Sequence, residues 1–225
     1  SGGVAIRSRT LRISGLGESR VEEVVRDLID SPDPTLAPYA KSSEVHLRMT
    51  TRAATEAEAM AKFAPMEAAI RERLGWHVYG VDDDALEGVV LDALRKRGWR
   101  LALAESCTGG IIASRITAIP GSSDVFLGGA VSYSAEAKQV MLGVDPELIR
   151  EFTPVSEPVA RAMAQGVAQR LGAEVGVSVT GVAGPGPDRD GNPQGLVWLG
   201  LHTPKGDWTL ELNLGSGRDA IRLRA

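Results

Sequence analysis

With 225 residues, 43% hydrophobic and 24% charged side chains and a net charge of −4, the chain has the balance of a soluble globular protein with one large domain or two small ones. It lacks both an apolar run of membrane-spanning length and the basic-then-apolar layout of a secretory signal, so a cytoplasmic location without membrane contact is expected. One cysteine, Cys107, excludes an internal disulfide, and His46, His77 and His202 are too scattered for ligand spacing, so neither a metal nor a cofactor is expected. Residues 1–80 balance eleven basic against eleven acidic side chains and the remainder carries fourteen against eighteen. Neither part offers the basic face that nucleic-acid binding requires.

In chain order, the opening SGG resembles a cloning remnant. VAIRSRTLRI alternates like a strand, and ESRVEEVVRDLI has apolar residues at helical spacing. DSPDPTLAPYAK, residues 30–41, reads as a proline-rich loop. SEVHLRMTT predicts a strand, TEAEAMAKFAPMEAAIRERLG a long helix that Pro65 kinks or divides, and WHVYG a short closing strand. These make a small α+β unit over residues 1–80, and the acidic VDDD at 81–84 marks the boundary and an N-cap.

Beyond it, helices and strands alternate over residues 81–225. DDALEGVVLDALRKRG is an amphipathic helix, WRLALAES a strand, GGAVSYS a second strand, SAEAKQVMLGV a short helix and VSEPVARAMAQGVAQRLG a longer one. AEVGVSVTGVAG is a buried strand ending in a glycine-rich corner, followed by a hairpin of GLVWLGLHTP and DWTLELNLG that turns at Lys205 and Gly206. This order predicts an α/β fold: a mostly parallel sheet with helices on both faces and an edge hairpin. The final GRDAIRLRA reads as the first turns of a helix at a truncated carboxyl end.

Functional groups in such folds gather at the strand carboxyl ends, where Ser106, Tyr133 and Thr180 fall. AESCTGG, residues 104–110, is a strand-to-helix corner, which aims side chains and backbone N–H groups at one point. By itself it reads equally as a nucleophile, a phosphate cradle or a tight turn with Ser106 as helix cap. Cys107 is a second possible nucleophile or a packing residue. A serine nucleophile needs a base, no histidine is placed for it, and Lys138 in VSYSAEAK is the candidate, provided burial lowers its pKa.

AESCTGG, PGSSDVF, YSAEAK, VSEPVA, TGVAGPG and GRDAIR follow one another in the order and spacing of the CinA carboxyl-terminal domain. The stretch 84–225 resembles that domain and the stand-alone bacterial nicotinamide mononucleotide (NMN) deamidases known as PncC. TLRISGLGES, APYAK and VHLRMT resemble the family's middle domain, which has a KH-like α+β fold. Full-length members begin with a further domain similar to molybdopterin-cofactor enzymes. Its metal-dependent ADP-ribose pyrophosphatase activity is not expected of this sequence.

The resemblance implies hydrolysis of the carboxamide of NMN to nicotinic acid mononucleotide and ammonia. Ser106 is then the nucleophile, Lys138 the base and Tyr133 an assisting hydroxyl, with Ser123 of PGSSD supporting the pocket. Backbone N–H groups around Thr108, Gly109 and Gly110 are expected to hold the oxyanion. Thr180, Gly181 and Gly184 of TGVAGPG line the opposite wall, and Arg218 contacts the phosphate. Where the family usually has GDR, this chain reads GSGR, without the aspartate. The alternative is a non-catalytic module that senses a nucleotide in the same pocket. The KH-like segment lacks the GxxG loop that clamps nucleic-acid backbones, so a scaffolding role is expected, with the protein a homodimer as its relatives are.

Overall fold

The computed structural model describes residues 3–41, 44–215 and 217–225. The chain divides into two compact units, Ser1–Val89 and Val90–Ala225.

In the first unit, strand β1 (Ala5–Ser14), helix α1 (Glu18–Ile29), strands β2 (Thr35–Ala40) and β3 (Glu44–Ala53), helix α2 (Glu56–Leu74) and strand β4 (Val78–Val81) follow in order. The four strands form one antiparallel sheet, ordered β2-β3-β1-β4. Alternation sends Val45, Leu47 and Met49 of β3 and Leu11 and Ile13 of β1 to one face. There they meet Val21 and Val25 of α1 and Phe63, Met66 and Ile70 of α2 in a closed core.

Three expectations change here. Part of the proline-rich loop is strand β2, which pairs on one side only; Pro38 costs no ladder bond at such an edge. Pro65 does not divide α2, because it lies on the exposed face while the buried stripe from Ala59 to Leu74 continues past it. Trp76 is not in the closing strand; it sits in the short turn before β4, 79% exposed, with its ring stacked on His77.

Helix α3 (Leu86–Arg97) leads into strand β5 (Leu101–Glu105), helix α4 (Ile111–Thr117), strand β6 (Phe126–Val131) and helices α5 (Ala135–Leu142), α6 (Pro146–Phe152) and α7 (Glu157–Leu171). Strands β7 (Val175–Gly181), β8 (Leu196–Thr203) and β9 (Gly206–Asn213) and helix α8 (Arg218–Arg224) complete the chain. The sheet order is β6-β5-β7-β8-β9. Strands β6, β5 and β7 are parallel neighbours, and the β8–β9 hairpin continues the sheet antiparallel at its edge. Only β8 therefore runs against the other four strands. Helix α6, absent from the sequence reading, is a seven-residue segment with Asp145 as its N-cap.

Central strand β5 is buried on both faces, as its uninterrupted burial requires. Ala102 and Ala104 turn toward α5, α6 and α7, while Leu101 and Leu103 turn toward α3 and α4. Helix α7 lies almost on the sheet backbone. A Cβ on Gly176 of β7 would come within 2.0 Å of the Ala164 carbonyl oxygen, and one on Gly200 of β8 within 2.4 Å of the Ala160 oxygen. The Ser178 hydroxyl, between them, donates to that same Ala160 oxygen at 2.6 Å.

Candidate active site

The site is built where β5 ends between its two parallel neighbours. The ladder extends one step past each strand: the Ser132 N–H donates to Glu105 O at 2.8 Å and the Ser106 N–H donates to Val179 O at 2.9 Å. Strand alternation then decides which way successive side chains point. Glu105 joins Leu101 and Leu103 on the α4 face, and Ser106 joins Ala102 and Ala104 on the face covered by α5 and α7.

Lys138 waits on that face. Ser134 caps α5 by accepting the Ala137 N–H at 3.1 Å, and the helix buries Lys138 and Leu142 one turn apart. Lys138 is 1% exposed and Ser106 is 6% exposed. Nζ lies 3.0 Å from Ser106 Oγ and donates to Ser132 O at 2.8 Å. Burial lowers the lysine to about 8. A neutral amine oriented by the Ser132 carbonyl can accept the Ser106 hydroxyl hydrogen, which is the arrangement a serine nucleophile needs. Ser132, whose backbone aligns the pair, was missed by sequence reasoning; only its place one residue beyond a strand parallel to β5 points to it.

Glu105 was also missed. Its carboxylate is 2% exposed and accepts the N–H groups of Gly110 at 2.9 Å, Ile112 at 3.2 Å and Ala113 at 2.8 Å. It therefore closes the start of α4, where a side-chain cap is otherwise lacking. The alternation of LALAES carries the signal, since it turns Glu105 away from Ser106 and toward the following helix.

These bonds take two of the expected oxyanion donors. The Gly110 N–H is committed to Glu105, and the Gly109 N–H donates to Ser106 O at 3.1 Å. Thr108 is fully buried, and its Oγ1 has no hydrogen-bond partner among the described residues. Gly109 and Gly110 both hold positive φ, 63° and 97°, so the glycines serve the corner itself. Cys107 packs with Val179, Ala183, Val197 and Ile221, and burial raises its thiol pKa. A protonated, enclosed thiol is a packing group rather than a nucleophile.

The remaining expected residues divide. Arg218, the first residue of α8, donates to Gly184 O at 2.6 Å and to the Tyr133 hydroxyl at 3.1 Å, tying the β6–α5 and β7–β8 loops together. Tyr133 is 61% exposed. Arg222, one turn further along α8, donates to the carbonyls of Cys107 at 3.2 Å and Thr108 at 3.3 Å.

Three expected wall residues are occupied structurally. The buried Thr180 hydroxyl donates to Pro154 O at 2.8 Å, which leaves it no hydrogen for a ligand. A Cβ on Gly181 would meet the Val197 side chain at 2.7 Å, so this glycine permits the β7–β8 approach. Gly184 combines φ 84° with a Cβ position only 2.4 Å from the Gln194 side chain. Its contribution to the site is its carbonyl, which receives Arg218.

Ser123 does not join the others. It is exposed in the turn before β6, whose neighbour Val125 accepts the Leu101 N–H at the opposite, amino end of β5. A five-residue strand separates the two ends by roughly 15 Å.

The three histidines are engaged elsewhere: His46 with Glu44, His77 with Ser14 O and His202 with Asp207. Among the described residues no group of three or more His, Cys, Asp or Glu is placed to hold a metal ion. No helix among them is long and apolar enough to cross a membrane.

Comparisons with known proteins match this description. The CinA C-terminal domain family model covers residues 83–225, and the damage-inducible protein CinA KH domain covers residues 8–80. A CinA-like protein of Prochlorococcus marinus is 47% identical over 217 residues, 96% of this chain and 51% of its own length. One from Synechococcus sp. is 49% identical over 218 residues, 96% of this chain and 52% of its own. The chain thus spans about half the length of the curated relatives it matches. Among solved structures, the competence/damage inducible protein CihA of Agrobacterium tumefaciens shares 40% identity, with a TM-score of 0.58 over 61% of this chain and 84% of that one. The competence-damaged protein (CinA) superfamily protein of Escherichia coli shares 31%, with a TM-score of 0.60 over 64% and 86%.

Proposed function

Since the chain belongs to the CinA family, we propose that its carboxyl-terminal unit is an amidohydrolase that converts NMN to nicotinic acid mononucleotide and ammonia through a Ser106–Lys138 pair. The observation that carries this reading is the buried 3.0 Å approach of Lys138 Nζ to Ser106 Oγ, with the amine lowered to about 8. A solvated surface lysine would be nearly all protonated and unable to act as a base at neutral pH.

In the proposed reaction Ser106 Oγ adds to the carboxamide carbon while its proton passes to neutral Lys138 Nζ. The tetrahedral oxyanion then collapses, the C–N bond breaks, and Lys138 returns the proton so that the nitrogen leaves as ammonia. Water attacks the resulting ester with Lys138 again as base, freeing the acid and restoring the serine hydroxyl. The pyridinium ring of NMN suits this arrangement, because a cation beside the amine disfavours the ammonium form. The exposed Arg218 guanidinium, held between Tyr133 and Gly184, supports a contact to the substrate phosphate.

The test is ammonia release from NMN, with nicotinamide and glutamine as competing amides. Ser106→Ala and Lys138→Met are expected to lose at least roughly 1,000-fold in kcat while remaining folded, and Cys107→Ala to retain turnover. Full activity in both site variants sinks the mechanism. Binding of NMN without ammonia release by the unaltered protein leaves a nucleotide sensor instead.

A further inference from the structure

A single guanidinium grips two consecutive carbonyls of the corner that carries Ser106. Arg222 Nε donates to Cys107 O and its Nη2 to Thr108 O. The adjacent Ile221 is fully buried against Cys107, Val179 and Val197, which seats α8 on this loop. Asp219 on the same helix stands 4.0 Å from Arg222 and is 92% exposed, so it neutralises little of the charge.

Peptide geometry gives this grip a consequence. In a trans peptide the C=O of one residue and the N–H of the next point in opposite directions. With the Cys107 and Thr108 carbonyls turned to Arg222, the Thr108 and Gly109 N–H groups turn away from it. The Gly109 N–H is used by Ser106 O. Among the described residues the Thr108 N–H forms no hydrogen bond to an oxygen; it faces the Cys107 sulfur, a weak acceptor. It is thus a donor held only by a weak sulfur acceptor, two residues from the nucleophile, which a charged oxygen would outcompete. A cation on the carbonyl side of its peptide further polarises it toward negative charge.

We infer that Arg222 is a positioning residue, which locks the Cys107–Thr108 peptide so that the Thr108 N–H receives the oxyanion formed on attack by Ser106. The inference rests on the reading of Ser106 as nucleophile and adds to it the donor and the group that aims it. Arg218 and Arg222, one helical turn apart, then divide the work: the first at the exposed mouth, the second beneath the reacting loop.

The experiment compares the unaltered protein with Arg222→Met, Arg222→Gln and Arg222→Lys in three measurements. These are kcat and KM for NMN, the rate at which a fluorophosphonate labels Ser106, and the melting temperature. In labelling, Ser106 Oγ bonds to phosphorus, fluoride leaves and the hydroxyl proton passes to Lys138, so this reaction also builds negative charge on oxygen without requiring NMN.

Arg222→Met is expected to lower kcat roughly 10- to 100-fold, the scale on which losing a group that orients an active-site residue is felt. KM should stay within a few-fold and labelling should slow by a similar factor. Arg222→Lys, which can reach a carbonyl with one charge, should recover part of the loss. If Met destabilises the fold, the Lys and Gln variants carry the comparison.

Unchanged kcat and labelling overturn the inference, as does a rise in KM alone, which would make Arg222 a substrate contact. A kcat loss that follows melting while labelling is unchanged overturns it too. If the unaltered protein releases no ammonia from NMN yet labels at Ser106, and Arg222→Met slows that labelling, the substrate reading fails and the inference stands. If NMN is turned over and no Arg222 variant differs, the reverse holds.

Discussion

Burying an amine costs far more than burying a hydroxyl, so Lys138 sets the energetic terms of the site. A pKa lowered from 10.5 to about 8 corresponds to roughly 3 kcal/mol of bias against the ammonium at about 1.36 kcal/mol per unit. The sign follows from linkage: between about 8 and 10.5 the unfolded chain binds a proton that the folded chain does not. Folding stability attributable to this residue therefore rises with pH across that window and is penalised below it. Urea denaturation at pH 7 and at pH 10 should show the unaltered protein gaining stability relative to Lys138→Met. Parallel behaviour of the two would mean that the lysine is not desolvated. The same group fixes the activity profile, because only the neutral amine accepts the Ser106 proton. kcat/KM should climb with an apparent pKa near 8, and a profile flat from pH 6 to 9 would remove Lys138 as the base.

At the scale of elements, identical chemical changes at two glycines are expected to have opposite signs. Gly176 lets α7 rest on β7, and Gly176→Ala forces a Cβ to within 2.0 Å of Ala164 O and 2.9 Å of Ala168 Cβ. Helix and sheet must separate, at a cost of about 1–3 kcal/mol. Gly88 in α3 has open space around its Cβ position, and Gly88→Ala should stabilise by about 0.5–1 kcal/mol through the helix. Denaturation midpoints of the two variants check both values; equal shifts would mean that α7 yields easily.

These elements also show what is legible in the sequence. The stripe of α2 and the alternation of β3 report a buried face directly. The strand β2 is hidden by Pro34 and Pro38, because a proline penalty vanishes at an edge and edges are decided by the rest of the sheet. The serine and lysine are readable from two motifs and a chemical requirement. The competition for the corner's polar backbone groups is not, because Glu105 reaches forward from the strand end to take the Gly110, Ile112 and Ala113 N–H groups, and Arg222, on a helix 115 residues beyond Cys107, takes the carbonyls. Ser123 fails for the same reason, since the reach of a motif across a sheet depends on strand direction.

At the scale of the whole chain, each unit closes its own core: residues from Leu11 to Val78 form one cluster, and the other three lie between Leu91 and Ile221. Independent stability should follow, provided the cut respects the helix between them. The division after Val89 falls inside α3, which starts at Leu86 and supplies Leu91 and Leu94 to the second core. Family resemblance, by contrast, begins at residue 83. A fragment of residues 83–225 keeps the whole helix, and with it the first turn whose Ala85 carbonyl accepts the Val89 N–H. It should fold cooperatively and release ammonia from NMN at a kcat within about two-fold of the full chain, since every proposed catalytic group lies inside it. A fragment of residues 90–225 starts α3 one turn late and leaves Leu91 at a frayed end, where burial of a leucine worth roughly 2 kcal/mol is compromised. Circular dichroism melting and ammonia release on the two fragments decide the matter. If 83–225 is unfolded alone, or folded and inactive while the full chain turns over NMN, the proposed site depends on the first unit, and confining catalysis to the second is wrong.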